Sequence, residues 1–294
     1  MGVFAHEAMA TVFEAIVAGR DEAYARQAAR AAFDEVDRIE KLFSRFDPSS
    51  EISRLSRLRP GEVMRVGCET FDVLAAAAGM QAETAGAFDV NFRTGGKPVR
   101  LLDLIALRRL PDGFEIERLA GPRRRKFRPL DLDLGAIGKG YAVDAALGVF
   151  REWDVENVLL HSGTSTVAAR GTAPGRRGKR RGWPVAVATA WAEAGAPREI
   201  ILKNLALSGS GTEVKGEHVI DPRLDWPAMG HLAAWAAHTS AAVSDALATA
   251  FMVMMTEEVE AFCARRPDVW ALVISEEYGC RVFNEALLTS VADF

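Results

Sequence analysis

Cysteine is scarce in this chain: three in 294 residues, Cys68, Cys263 and Cys280, an odd number with no CxxC spacing. That argues against a disulfide framework and a structural zinc site, and leaves the thiols as small buried or half-buried side chains. No apolar run reaches the roughly 18 residues a membrane-spanning helix needs. Met1 to Thr11 holds no basic stretch leading into an apolar one, and no lipid-attachment cysteine. As given, the chain therefore reads as cytoplasmic, and a chain trimmed of a leader would read the same. An excess of positive charge is also missing. Lys and Arg number 36 against 40 Asp and Glu, a net charge of −4, with a pI near 5.8. This speaks against a general nucleic-acid binder.

What is present is the material of a folded chain: 49% hydrophobic and 26% charged residues, with a mean hydropathy of +0.02. A chain this long buries roughly three quarters of its unfolded surface, so its core needs no cross-links. Apolar residues fall at helical spacing from Asp21 to Phe46, with Asp21 as N-cap and Asp47-Pro48 as the stop. Ser50 caps a second, short helix. Thr70 to Ala85 reads as a helix closed by Gly86 in a left-handed conformation. Asp131 to Leu134 alternates like a strand, and Lys139 to Trp153 is helical again. Short strands follow at Asn157–His161, Thr166–Arg170, Pro184–Thr189 and Glu199–Leu205, then a helix from Ala241 to Met255. Val269–Ser275 and Arg281–Asn284 flank Tyr278-Gly279 as a hairpin. Helices separate groups of adjacent strands without strict βαβ alternation, which favours an α+β fold. Residues 1–294 read as a single domain. The basic run Arg123 to Lys126 reads as a solvated turn or a phosphate-attracting patch. The Gly- and Arg-rich stretch Thr172 to Gly182 reads as a mobile surface loop.

Four stretches offer chemistry. Leu134 to Asp144 (LGAIGKGYAVD) is a glycine-rich turn entering a helix, where backbone comes close to a ligand and the helix N-terminus favours an anion. It fits neither the P-loop nor the GxGxxG fingerprint. Asp245 and Thr249 are four apart, so both oxygens leave one helix face and suit a hard cation such as Mg²⁺. The alternative is a helix-dipole role for Asp245 beside a packed threonine. His218, before the Asp221-Pro222 turn, suits a general base or a single structural hydrogen bond. Ser208 and Ser210, beside glycines, offer hydroxyls and amides to a phosphate, although no GxSxG elbow surrounds them.

In their order these stretches resemble the FAD:protein FMN transferases, earlier described as thiamine-biosynthesis lipoproteins. The likeness runs from about Met9 to Met255. It takes in Ser44 to Ser53 (SRFDPSSEIS), Gly86-Ala87-Phe88-Asp89, Asp133 to Asp144, Ser208-Gly209, His218 to Pro222 (HVIDP) and Ser244 to Thr249 (SDALAT). The resemblance implies a T-fold-like α+β architecture, mixed or antiparallel sheets packed with helices. It implies FAD as substrate and Mg²⁺ held by Asp245, Thr249 and the Ala136 carbonyl. It places Ser56, Phe88, Asp89, Lys139, Gly140, Asp144, Ser208 and Gly209 around the nucleotide. The implied reaction is attack by a Thr or Ser hydroxyl of an acceptor protein on the FMN phosphorus, releasing AMP, with His218 taking the proton. Lys139 is left to choose between a phosphate and a pairing with Asp144 or Asp133.

The chain also departs from the pattern. Ser56 stands where relatives often have Asn, Val90-Asn91 replaces Pro-Thr, and Leu224-Asp225 replaces Thr-Gly. Gly163-Thr164-Ser165 replaces Gly-Gly-Asp, which removes a carboxylate. Two further readings therefore stand beside transfer: magnesium-dependent hydrolysis of FAD to FMN and AMP, and flavin or nucleotide binding without turnover.

Overall fold

The computed structural model describes residues 1–94, 99–120, 130–176, 181–187, 191, 199–211 and 219–288. Strands β1 (Gly2–Ala8) and β2 (Thr11–Ala18) pair as a hairpin whose two loop residues, Met9 and Ala10, both have positive φ. This is the left-handed backbone that two-residue hairpin turns require. Helix α1 (Glu22–Phe43) starts where the Asp21 carboxylate accepts from Tyr24 N at 3.0 Å. Its stripe Ala25, Ala29, Phe33, Val36, Ile39 and Phe43 is buried. Ser50 caps α2 (Glu51–Ser56) by accepting from Ser53 N at 3.0 Å. After β3 (Val63–Val66) comes α3 (Cys68–Glu83), which Ala85 and Gly86 end with positive φ while Gly86 N donates to Gln81 O at 2.8 Å. β4 (Ile105–Leu110) and β5 (Gly113–Arg118) complete a small sheet in the order β3-β5-β4.

Helix α4 (Gly138–Glu152) leads into β6 (Asn157–Ser162) and β7 (Thr166–Arg170), then the antiparallel pair β8 (Trp183–Ala186) and β9 (Glu199–Leu202). Next come β10 (Ala206–Gly211), the two-residue strands β11 (Ile220–Asp221) and β12 (Trp226–Pro227), and β13 (Ala233–His238). Helices α5 (Ala241–Val253) and α6 (Thr256–Arg265) precede the last hairpin, β14 (Trp270–Ser275) and β15 (Gly279–Phe283). Among the described residues the main sheet has eight strands, all antiparallel, in the order β1-β2-β6-β7-β10-β13-β14-β15. One of its faces carries α1, α4 and α5 over the larger core; the other packs Leu159, Ala169, Leu207 and Trp270 against Trp183 and Leu202. The fold is α+β, as the element pattern predicts.

Several expectations need correction. Asp131 to Leu134 is extended, with Leu132 and Leu134 buried, but it forms no strand. Its amides are taken elsewhere: Asp131 N by Asn91 Oδ1, Leu132 N by Ser56 Oγ and Asp133 N by Val90 O. The glycine- and serine-rich stretch from Asn204 contains strand β10, the helix expected from Ala241 to Met255 is α5 and ends at Val253, and α6 follows it without having been foreseen. The three cysteines are free, as expected, yet Cys68 is exposed while Cys263 is buried. Residues 123–126, 177–180 and His218 lie outside the described residues. Of the 172–182 stretch, the described ends are tied together by Ala173 N donating to Gly182 O at 3.2 Å.

Candidate active site

The turn before α4 is built from its own sequence. Gly135 N donates to the Asp133 carboxylate at 2.9 Å, and Leu134 O accepts from both Ile137 N and Gly138 N. Gly140, on the first turn of α4, then touches the start of α5. A Cβ there would stand 2.6 Å from the Ala241 carbonyl carbon and 2.8 Å from Ala242 Cα, so only glycine permits the approach. The contact carries a hydrogen bond: Gly140 N donates to Asp245 Oδ2 at 3.1 Å. The two motifs, a hundred residues apart in sequence, form one structure.

That structure faces a cavity of about 1040 Å³, at the upper end of small-molecule sites. Ala136, Lys139, Asp245 and Thr249 line it, with Phe88, Asp89 and Gly209 on other walls. Asp245 is only 5% exposed, and Thr249 follows it one helical turn later. Lys139 Nζ donates to Gly135 O at 2.7 Å, so its partner is the turn's backbone and neither Asp133 nor Asp144. Phe88 N donates to Thr84 Oγ1 at 3.2 Å, and Asp89 Oδ1 accepts from Asn91 N at 2.8 Å. Asp133 also lines the cavity, with Arg45 at 3.7 Å and Arg93 at 4.0 Å from its carboxylate.

Four of the expected nucleotide contacts lie off this lining: Gly140, whose contact with α5 is given above, and three more. Ser56 Oγ accepts from Leu132 N at 3.1 Å and donates to Ile52 O at 2.9 Å, which ties α2 to the segment entering the turn. Ser208 Oγ points to the helix side of the main sheet, 3.0 Å from Thr166 Oγ1. The Asp144 carboxylate accepts from Ala241 N at 2.7 Å, Ala242 N at 3.0 Å and Ser240 Oγ at 2.7 Å. It thus caps the N-terminus of α5 from a neighbouring helix. Burial pushes the Asp144 carboxyl above the usual carboxylate range, against three donors that favour its charged form. His218 lies outside the described residues, but Val219, Ile220 and Pro222 after it line the cavity. Asp221 shapes that turn by accepting from Arg223 N at 2.8 Å, and Arg223 reaches Glu258 on α6 at 2.8 Å.

The cavity also has walls that the motifs do not mark. Beside the Gly163-Thr164-Ser165 turn that stands in for Gly-Gly-Asp, Met9 to Thr11 of the first hairpin, His161 and Trp235 line it. Strand pairing brings these together, and each lies within an ordinary strand or turn pattern, so no local sequence signal identified them.

The donors suit a hard cation. Asp245, Thr249 and Ala136, which carry a carboxylate, a hydroxyl and a backbone carbonyl, all oxygen, line the same cavity. Among the described residues no three His, Cys, Asp or Glu side chains come together. A metal here would thus have one carboxylate and neutral oxygens, the sparse protein shell that Mg²⁺ shares with phosphates and water. Among the described residues no helix is long and apolar enough to cross a membrane.

Comparison with known proteins gives the family and the fold. The model of the ApbE family matches residues 9–273. The chain is 24% identical over 244 residues to the FAD:protein FMN transferase of Klebsiella pneumoniae (strain 342), a match covering 74% of this chain and 68% of that protein. Among solved structures it is similar to the flavin transferase ApbE from Vibrio cholerae, with a TM-score of 0.77, 18% identity and 98% of each chain covered. It is also similar to the ApbE protein from Thermotoga maritima, with a TM-score of 0.75, 22% identity, and 100% of this chain and 99% of that one covered. At these identities the structural likeness establishes the shared fold, while the family match extends over nearly the whole sequence: the chain belongs to the ApbE family.

Proposed function

We propose that this protein is a flavin transferase that moves FMN from FAD to a Thr or Ser hydroxyl of an acceptor protein, with Mg²⁺ in the site and AMP as the leaving product. Family membership and the FAD:protein FMN transferase among its relatives support flavin transfer. The observation that supports the metal-dependent reading is that Asp245, Thr249 and Ala136 line the same cavity, with Asp245 tied to the α4 turn by Gly140 N. Because the walls are drawn from residues between Met9 and Thr249, residues 1–294 are read as one catalytic domain.

In this reading a bond forms between the acceptor oxygen and the FMN phosphorus, and the phosphorus–oxygen bond to AMP breaks. Mg²⁺, when bound, supplies charge neutralisation on the pyrophosphate. Lys139, beside the first turn of α4, adds positive charge to the same cavity, and the turn's amides favour an anion. His218 is assigned the proton of the acceptor hydroxyl, supported by the position of the residues that follow it. Phe88, Asp89, Gly140 and Gly209 are assigned to the nucleotide's surroundings.

The test combines purified protein, FAD, Mg²⁺ and a flavin-accepting domain, read by in-gel flavin fluorescence and by AMP release. Transfer predicts fluorescent acceptor and AMP that depends on it. AMP without acceptor would identify hydrolysis, favoured by the absence of a carboxylate at Gly163 to Ser165, and bound FAD that never changes would identify a binding protein. Asp245→Asn keeps an oxygen for Gly140 N and removes the charge. It is expected to lower Mg²⁺-dependent transfer by ~100-fold or more while leaving circular dichroism unchanged. An unaltered Mg²⁺ dependence in this variant would refute the assigned metal site.

A further inference from the structure

The cavity continues onto the sheet face opposite α4 and α5, where its lining changes character. Leu159, Val167 and Leu207 belong to the second core and wall this lobe. Gly209 lies opposite Trp235 in the β10–β13 register, and a Cβ at Gly209 would stand 2.5 Å from the indole Nε1. The glycine thus lets the indole lie across the strand as a flat floor. Among the described residues, the titratable side chain in these apolar surroundings is His161, two residues after Leu159 and so on the same face of β6.

His161 is held from one side. Glu14 sits directly opposite it in the β2–β6 register, and His161 Nε2 is 3.1 Å from Glu14 Oε1. A carboxylate only accepts, so the proton of the neutral ring resides on Nε2 and Nδ1 carries a lone pair. Among the described residues Nδ1 has no hydrogen-bond partner. The lobe therefore offers apolar walls, an aromatic floor and one acceptor of fixed orientation at its edge. That combination suits a planar heteroaromatic ring with an N–H or NH₂ on its rim: the ring stacks and packs, and the rim donates to Nδ1.

We propose that this lobe binds such a ring by its N–H edge, with His161 as the specificity-determining contact and Glu14 as the positioning residue that fixes its tautomer. The inference rests on the FAD reading, because FAD carries two rings of this kind, the flavin with its imide N–H and the adenine with its amine. The experiment separates them. FMN and ADP, each with one of the rings, are titrated in the presence of Mg²⁺ against the wild-type protein, His161→Phe and His161→Gln. Flavin fluorescence reports FMN and calorimetry reports ADP. Phe keeps a planar side chain without the acceptor, whereas Gln restores an acceptor oxygen.

The expected result is a loss of about three- to tenfold in affinity for one of the two ligands in His161→Phe, with the other unchanged and partial recovery in His161→Gln. The affected ligand names the ring. Equal loss for both ligands would mean that His161 only supports the wall, and unchanged binding of both would mean that it makes no contact; either result overturns the inference and leaves the FAD reading intact. A wild-type protein that binds neither ligand overturns both. Where His161→Phe does not fold, His161→Ala takes its place under the same expectations.

Discussion

The contact between the two site motifs can be tested by adding one carbon atom. Gly140→Ala places a Cβ within 2.6 Å of the Ala241 carbonyl carbon and 2.8 Å of Ala242 Cα, with the Ala241 carbonyl oxygen nearer still. These are backbone atoms, so no rotamer change relieves the overlap and α4 must move away from α5. Overpacking of this kind costs ~1–3 kcal/mol, with the upper end appropriate where backbone must shift. Alanine is a better helix former than glycine by ~1 kcal/mol, which offsets part of the cost. The net expectation is a loss of about 2 kcal/mol. Gly148, on the same helix, is the internal control, because nothing lies within 4 Å of a Cβ built there. Gly148→Ala should therefore gain ~0.5–1 kcal/mol from propensity alone. In a thermal scan the two variants should move in opposite directions, Gly148→Ala upward by ~2 °C and Gly140→Ala downward by ~4–8 °C. Gly140→Ala should also weaken Mg²⁺-dependent transfer, since its amide holds Asp245 at 3.1 Å. If Gly140→Ala matched Gly148→Ala in stability, the close approach of the helices would be refuted, and with it the argument that glycine is required here.

Two further perturbations examine the supports of the same wall. Asp144→Ala leaves Ala241 N and Ala242 N at the start of α5 without their acceptor and should cost ~2–3 kcal/mol in urea unfolding, while Asp144→Asn, which keeps one acceptor oxygen, should cost less. A loss below ~0.5 kcal/mol in Asp144→Ala would show that the capping does not stabilise α5. His231 is buried between the end of α5 and the start of α6, its Nδ1 2.5 Å from Phe251 O and its Nε2 3.0 Å from Thr256 Oγ1. Burial holds its pKa below the usual 6.5, so the unfolded chain binds the proton more readily than the folded one. Its contribution is present above pH 6.5 and is lost as pH falls from there through the lowered folded value, with a slope of at most about 1.4 kcal/mol per pH unit. His231→Gln should remove that part of the acid sensitivity between pH 7 and 5. Parallel stability profiles for the variant and the wild-type protein would refute it.

Where a feature depended on residues close in sequence, it could be read before the structure. The Asp21 and Ser50 caps, the left-handed Gly86 and the strands expected at Asn157–His161, found to run to Ser162, and at Thr166–Arg170 all follow from local spacing or local turn chemistry. The Asp-Thr pair is of the same kind, since a helix puts residues four apart on one face. Features that depend on strand partners were hidden. The first hairpin turns on Met9-Ala10, which carries none of the Asn or Gly that usually marks such a turn, so β1 and β2 gave no signal. Strand β13 is mostly alanine, whose burial between β10 and β14 reflects its neighbours rather than its own preference.

The cavity inherits this division. Its side around Ala136, Asp245 and Thr249 lies on helix starts and turns, each written in a short motif, and the long-range step is supplied by Gly140, whose missing side chain lets the motifs meet. Its apolar lobe lies on the strands β6, β7, β10 and β13, where His161 and Trp235 face the cavity only because of register. A one-residue slip of β6 against β2 would turn His161 toward the helices and part it from Glu14. Ser208 illustrates the same rule from the other side: a residue that its motif presents as a ligand contact is turned by strand alternation to meet Thr166, while its neighbour Gly209 opens the cavity. Register therefore decides which chemistry of a strand reaches the ligand, and the residues that tell one ligand from another are expected on the strands more than in the motifs.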